Sequence, residues 1–324
     1  MKTIGVLMGG YSGEYDVSMA SGNVVYQNLQ NQGFELFRVE LKKNQWEALD
    51  DEGNRYPIIT DDFSFMLQDR RVSFDAVFNA IHGHPGEDGP LAGYFDMLGL
   101  AYTSSGQFAS ALTFNKAECN ILLDRYGFKV AKSVFLHAEP NISEAEIIDR
   151  LGLPCFVKPC RSGSSIGVSK VKTAAELGPA IAKAKSIDTK VLIEAMVPGL
   201  ELACGVSDHS GEAQALAVTH IKPAGEFFDY ESKYSGQSEE TTPAQIPAEV
   251  YEKVMRQSEA AYRLLELKGL SRVDYILDAN NEPVLIEVNT VPGFSAESLL
   301  PKQALYAGIS LPELFRACVE KTLS

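Results

Sequence analysis

The sequence predicts a mixed fold, α/β at the start and α+β beyond, in three successive domains with a parallel sheet in the N-terminal one. Three observations predict it. Strand and helix patterns alternate through the first third of the chain, as the crossovers of a parallel sheet require. In the middle third, strands flank a polar hairpin tip, with a helix following. Near the C-terminus, two apolar runs joined by a short turn carry polar residues at every second position. The 324 residues suffice for two or three compact cores.

Taken in order, residues 3–8 are a β-branched apolar run ending at Gly9-Gly10, and residues 17–29 carry a helical pattern. Residues 34–41 and 74–81 read as strands, the second interrupted by Asn79 and followed by a glycine-rich loop; residues 89–98 read as a helix. These elements define a first domain, 1–104. The middle domain, 105–198, holds a helix over 116–126, strands over 156–158 and 168–171 around a Ser/Gly loop, a helix over 174–185 and a strand over 191–194. The last domain, 199–324, opens with strands over 202–207 and 213–221. The polar stretch 222–247 exceeds an ordinary connection, so it is expected to be functional or disordered. Pro247 and Gly269 frame an amphipathic helix over 248–267.

A formal charge of −14 argues against a nucleic-acid partner, since no basic stripe is available to displace counterions. It leaves an anionic small ligand open, because local lysines can override the global field. The five cysteines are scattered and odd in number, with no C-x-x-C pair. Reduced, mostly buried thiols are expected rather than zinc or disulfides. No apolar run reaches membrane-spanning length, and the N-terminal run is too short for a signal peptide. The expectation is a soluble, cytoplasmic protein with no membrane partner.

The densest chemistry lies in Arg272-Val273-Asp274 and Glu287-Val288-Asn289. Strand side chains alternate with period two, so Arg272 and Asp274 share one face, as do Glu287 and Asn289. Residues 279–282 form the turn between the two runs, which pair as a hairpin and can bring Asp274, Glu287 and Asn289 together beside Arg272. Three oxygen ligands without thiolate or imidazole suit Mg²⁺. A cation beside them suits phosphoryl transfer. Taken alone, the bland alternative is a hairpin with a solvated charged face.

Other segments add weaker signals. After Val157-Lys158-Pro159, the small residues of the loop 161–167 would let backbone N–H groups approach phosphate oxygens, with Lys158 at the mouth; a flexible hairpin tip is the alternative. Glu14 follows the glycine-rich turn 9–13 and could hold an ammonium group, or simply complement a helix dipole. The loop 82–89 carries His82, His84, Glu87 and Asp88 among glycines, which suits a substrate-facing loop better than a metal site. Lys222, Glu231, Lys233 and Tyr234 lie in the long polar stretch, as solvated charges or as a lid over a nucleotide.

In this order the pieces resemble the D-alanine–D-alanine ligase family of ATP-grasp enzymes. The match runs through Gly9-Gly10, Ser12, Glu14, Val17-Ser18 and Ser21; the loop 82–89; Lys158-Pro159 with Gly163-Ser164-Ser165; Tyr230, Lys233 and Tyr234; Arg272 with Asp274; and 287–293 with Ser298-Leu299. The resemblance implies an ATP-grasp fold, with the lid at 222–247. It implies ligation of two D-alanines through a D-alanyl phosphate, for peptidoglycan precursor synthesis, with ATP and two Mg²⁺ (Mn²⁺ as a substitute), in a homodimer. Glu14, supported by Ser164 and Tyr234, would hold the first D-alanine's ammonium, with His82 nearby. Lys116, Lys158 and Lys233 would contact phosphates, and Glu194 and Glu201 would bracket the adenosine. Asp274, Glu287 and Asn289 would ligate the metals. Arg272 and the Gly293 N–H would stabilise the oxyanion, and Ser298 and Leu299 would hold the second carboxylate. Ala195 stands where a lysine often follows the adenine-side glutamate. Arg161-Ser162 is a variant shared with D-alanine–D-lactate ligases. Alternatives are a D-alanine–D-lactate or D-alanine–D-serine ligase and, from another class, a catalytically silent ATP-binding sensor.

Overall fold

The computed structural model describes residues 1–222 and 238–324. Three main sheets occupy successive stretches of the chain. The first contains β1 (Lys2–Gly9), β2 (Phe34–Lys42), β3 (Gln45–Leu49), β4 (Arg55–Pro57), β7 (Ala76–Asn79) and β8 (Ala101–Tyr102), in the order β4-β3-β2-β1-β7-β8. A separate hairpin, β5 (Ser64–Leu67) with β6 (Arg70–Ser73), lies beside it. The four strands from β2 to β8 in this order are parallel, as the alternation predicts, with α1 (Tyr15–Leu29) and α2 (Pro90–Leu98) in the crossovers. The edge departs from the parallel expectation: β3 and β4 add to β2 antiparallel. These strands are short and half-exposed, so they lack the apolar run that marks a buried parallel strand. Phe37, Phe63, Phe65, Phe74 and Phe95 fill the core beneath them.

The second sheet has order β11-β10-β12-β9, built from β9 (Ser133–Phe135), β10 (Cys155–Pro159), β11 (Ser169–Val171) and β12 (Val191–Ala195). Its pairs are antiparallel. Three helices precede or join it: α3 (Gln107–Phe114), α4 (Lys116–Arg125) and α5 (Glu144–Leu151), the last closed by a Ser143/Glu146 capping box. Helix α6 (Ala174–Lys185) covers one face. The third sheet, β15-β14-β13-β16-β17, comprises β13 (Gly199–Ser207), β14 (Gln214–Lys222), β15 (Glu239–Thr241), β16 (Leu270–Asp278) and β17 (Pro283–Asn289). It packs under α7 (Ala248–Leu264), three residues shorter than the pattern suggested.

The polar stretch 222–247 is not irregular at its ends. Lys222 closes β14, and β15 pairs back onto it with Lys222 opposite Glu239. Ala244 then donates to Val218 O at 2.8 Å. Residues 223–237, with Lys233 and Tyr234, lie outside the described residues. All five cysteines are buried.

Two C-terminal helices, α8 (Leu299–Tyr306) and α9 (Leu311–Leu323), return to the first sheet. Leu300, Leu314, Phe315 and Val319 share a core with Ile4, Val6, Met8 and Phe78. The chain's end thereby ties the first sheet to the third, so the clefts between them are fixed by packing at a shared core.

At the carboxyl end of β2, Glu40 is nearly fully buried. It accepts from Arg55 Nη1 at 2.5 Å and from Tyr15 Oη, and pairs with Lys42 Nζ at 2.7 Å. Burial alone would raise its pKa, but the Lys42, Tyr15 and Arg55 hydrogen bonds outweigh it and hold the carboxyl at about 2, against an ordinary 4.5. A depressed pKa makes this contribution full above the ordinary value and lost as pH falls through the folded one. Glu40→Gln should therefore lower the melting temperature more at pH 7 than at pH 3. Equal differences at the two pH values would show that the charge carries none of the stability.

Candidate active site

The hairpin β16–β17 pairs Arg272 with Asn289 and Asp274 with Glu287. The register shifts just beyond Asp274, where Tyr275 pairs with Leu285 and Ile286 becomes the extra residue of a β-bulge. Alternation alone would bury one of Ile286 and Glu287, yet both are half-exposed and line the same cavity. The bulge so delivers an apolar side chain and a carboxylate to one face. The turn behind the hairpin is fixed by Asp278, whose Oδ1 accepts from Asn280 N at 2.8 Å and Glu282 N at 2.9 Å.

Two cavities meet at this face. The larger, of about 670 Å³, is lined by Glu14, His82, Ser164, Asn289, Gly293, Ser298 and Leu299. The second, of about 350 Å³, is lined by Lys158, Glu194, Glu201 and Asp274, with Ala195, Met196 and Ile286 as apolar wall. Lys116, Arg272 and Glu287 line both. Each site residue expected from the sequence that falls among the described residues therefore opens onto one of two adjoining cavities.

Arg272 makes a bidentate pair with Asp274, 2.7 Å from Nε to Oδ1 and 2.7 Å from Nη2 to Oδ2. Asn289 Nδ2 donates to Asp274 Oδ2 at 3.0 Å. Burial opposes the guanidinium charge, but Asp274 and Glu287 more than offset it and raise the pKa of Arg272. Lys116 Nζ lies 3.2 Å from Glu287 Oε2 and donates to Ser162 O at 2.8 Å. Its burial is likewise outweighed by Glu287, Glu87 and Glu14, and its pKa is raised. Lys158 Nζ pairs with Glu194 Oε2 at 2.5 Å, and Asn120 Nδ2 donates to Glu194 Oε1 at 3.1 Å.

The donor set on the hairpin face fits a hard divalent cation. Asp274 and Glu287 stand opposite each other in register, Asn289 adds an amide, and no sulfur or imidazole intrudes. Among the described residues no group of three or more His, Cys, Asp or Glu converges, so a site here needs the amide and ligand oxygens. A bound cation would exchange with the Arg272 and Lys116 contacts.

On the opposite wall, Glu14 precedes α1 and accepts from Ser164 Oγ across the cleft. Ser164 and Ser165 have positive φ, 47° and 56°, and that tight turn turns the loop toward Glu14. Gly163 is required by proximity: a Cβ there would lie 2.3 Å from Glu14 Oε2. His82 is buried, with Nδ1 2.8 Å from Val291 O and Nε2 2.8 Å from Ser21 Oγ. A carbonyl only accepts, so Nδ1 carries the proton and Nε2 accepts from Ser21. Burial pushes the imidazole pKa below its usual value, keeping it neutral. Ser21 Oγ in turn accepts from Phe294 N at 3.1 Å. This chain of bonds fixes the segment around Gly293 against the first sheet.

Sequence reasoning left several groups unassigned. Glu87 is buried on the larger cavity, accepting from Gly83 N at 2.9 Å; burial and the neighbouring Glu14 push its pKa up to about 8. The loop 82–89 faces the larger cavity through His82 and Glu87, whereas His84 pairs with Asp88 on the surface at 2.8 Å. Arg161 lines neither cavity. It is tied to buried Asp188 by bonds of 2.9, 3.1 and 2.8 Å from N, Nε and Nη2, so it anchors the loop's root. Only burial and long-range pairing single these residues out, and a single sequence carries neither.

Family models for the D-ala D-ala ligase N-terminus and C-terminus match residues 3–105 and 122–320. The chain belongs to the D-alanine–D-alanine ligase family. A D-alanine–D-alanine ligase of Flavobacterium johnsoniae is 46% identical over 324 residues, covering 100% of both chains. The D-alanyl-alanine synthetase A structure from Vibrio cholerae superposes with a TM-score of 0.89 at 30% identity, covering 99% of this chain and 98% of that one. The D-alanine–D-alanine ligase from Bacillus anthracis complexed with ATP superposes at 0.79 and 28% identity, covering 100% and 97%. The ATP-grasp fold of the family is thus this chain's fold.

Within this family member, Gly163→Ala should push Glu14 aside and break its bond from Ser164. We expect catalytic efficiency to fall by roughly ten- to a hundredfold, the size of a lost charge-assisted hydrogen bond. Initial rates of the purified variant measure it; unchanged kinetics would show that the close approach is not needed.

Proposed function

We propose that this chain is an ATP-dependent ligase that joins two D-alanines through a D-alanyl phosphate, supplying D-alanyl-D-alanine for peptidoglycan precursors. Its family and the ATP-bound relative support this reading. The observation that carries it is the meeting of two cavities at Lys116, Arg272 and Glu287. One has the apolar wall and carboxylates a nucleoside needs; the other has an acid for an ammonium group and a helix start for a carboxylate.

In this mechanism Glu14, oriented by Ser164, binds the ammonium of the first D-alanine, with His82 held neutral beside it. ATP lies in the smaller cavity, its adenosine between Glu194 and Glu201 and its phosphates toward Lys158 and Lys116. Asp274, Glu287 and Asn289 would hold Mg²⁺, which would supply charge neutralisation on the phosphates. The first carboxylate attacks the γ-phosphorus and ADP leaves. The amine of the second D-alanine, its carboxylate at Ser298 and the Leu299 N–H, then attacks the acyl carbonyl. Arg272 and the Gly293 N–H receive the oxyanion, and phosphate departs, taking up the proton lost by the amine, as the amide forms. Catalysis then rests on aligning three reactants and stabilising developing charge, so no side-chain nucleophile is needed.

No helix among the described residues is long and apolar enough to cross a membrane. Use of ATP fits a cytoplasmic location.

Phosphate release with ATP, Mg²⁺ and a panel of D-amino and D-hydroxy acids, with product mass, tests the proposal. D-Alanyl-D-alanine as the main product supports it; preferred D-alanyl-D-lactate or D-alanyl-D-serine, or no phosphate release, overturns it. In the same assay Arg272→Lys keeps the charge but loses the planar fork. Its kcat should drop roughly a hundred- to a thousandfold, as for one lost oxyanion donor, with a smaller change in the KM for ATP. A raised KM with unaltered kcat would make Arg272 a ground-state phosphate ligand.

A further inference from the structure

Helix α8 begins at Ser298, whose side chain caps no backbone N–H of the helix. It is paired instead with Ser295 Oγ at 2.8 Å. Pro301 has no N–H, so the orphan donors at this end are those of Leu299 and Leu300. One turn further, at the i+4 position that shares a face with Ser298, stands Lys302. Both residues line the larger cavity. The Lys302 ammonium folds back over the helix start, donating to Glu297 O at 2.9 Å. It also donates to Glu240 Oε2 at 2.9 Å.

Glu240 lies in β15, the short strand that pairs with the end of β14, and it too lines the larger cavity. Its side chain is mostly buried, 19% exposed, while that of Lys302 is 36% exposed. A cation thus sits at a helix start, facing a cavity, and is held by an acid on the short strand β15. The helix dipole favours an anion at this point, not a cation. The lysine is offset there by the carboxylates of Glu240 at 2.9 Å and Glu297 at 3.8 Å, and an anion arriving between it and the helix start would meet both the dipole and the ammonium.

We infer that Lys302 receives the carboxylate of the second D-alanine, and that Glu240 holds its ammonium until that carboxylate arrives. The inference rests on the ligase reading and deepens it. The incoming carboxylate takes three classes of donor: the Ser298 hydroxyl, the first N–H groups of α8 and the Lys302 ammonium. It competes with Glu240 for the last. Lys302 thereby selects acceptors that carry a carboxylate over neutral amides of the same shape. Exchange of partners also frees Glu240, so arrival of the acceptor is reported to β15.

The test measures acceptor kinetics with D-alanine and with D-alaninamide, alongside the KM for ATP and a melting curve. Wild type should prefer D-alanine. In Lys302→Met, which keeps most of the apolar stem, and in Lys302→Gln, the acceptor KM for D-alanine should rise at least about tenfold, the scale of one charge-assisted hydrogen bond. The preference over the amide should shrink by a similar factor, and the KM for ATP should stay put. Lys302→Arg should restore most of the preference. Glu240→Gln should lower the acceptor KM, since a competitor is removed. Unchanged acceptor KM and unchanged preference in both neutral variants would overturn the assignment of Lys302. A raised acceptor KM in Glu240→Gln would overturn the competition. Failure of the wild type to make any dipeptide would instead strike the ligase reading itself.

Discussion

Arg272 sits where the two cavities meet, and its bidentate bond to Asp274 sets the charge balance around it. Glu14, Glu87, Asp274, Glu194 and Glu287 open onto the same cleft, and so many carboxylates repel one another in a partly desolvated space. Such charges are tolerated only when paired. Arg272, Lys116 and Lys158 do the pairing, each against a named acid at 2.5–3.2 Å. Among the described residues neither Glu14 nor Glu87 has a cation at this range, and burial together with the neighbouring Glu14 pushes the pKa of Glu87 up to about 8. The cleft is thus poised between two charge arrangements. In one the cations face the protein's acids, as here. In the other, on the proposed function, they face phosphates and acyl oxyanions while the acids face metal.

The geometry that makes this exchange feasible is local. One β-bulge at Ile286 lets the second strand present both an apolar side chain and a carboxylate to the smaller cavity. Across the cleft, the contact between Gly163 and Glu14 and the bond from Ser164 bring the second sheet against the first. The bonds from His82 to Val291 O and from Phe294 N to Ser21 do the same for the third. Substrate groups would bind at seams between sheets, where small shifts change several partners together.

Much of this was legible in the sequence because the signals are periodic. The run of β1, the pattern of α1 and the alternating residues of β16 and β17 have neighbours of the expected polarity, so their faces follow from spacing. The carboxylates and amide of the hairpin could be placed on one face before any pairing was known. The register shift could not, since no residue near Ile286 announces a bulge. Strands β3 and β4 were silent for another reason: an edge meander is half-exposed and mixed in composition. Glu240 and Lys302 are 62 residues apart, and neither carries a motif. Their meeting depends on how β15 and α8 pack, which is a tertiary fact.

On the proposed function, the hairpin face trades Arg272 and Lys116 for a metal when nucleotide binds. Anomalous diffraction from crystals grown with ADP and Mn²⁺ tests it most directly. Metal density is expected within about 2.2 Å of oxygens from Asp274, Glu287 and Asn289, as hard-cation coordination requires, with Arg272 turned from Asp274. Metal bound by the phosphates alone, with the Arg272–Asp274 and Lys116–Glu287 pairs intact, would contradict it.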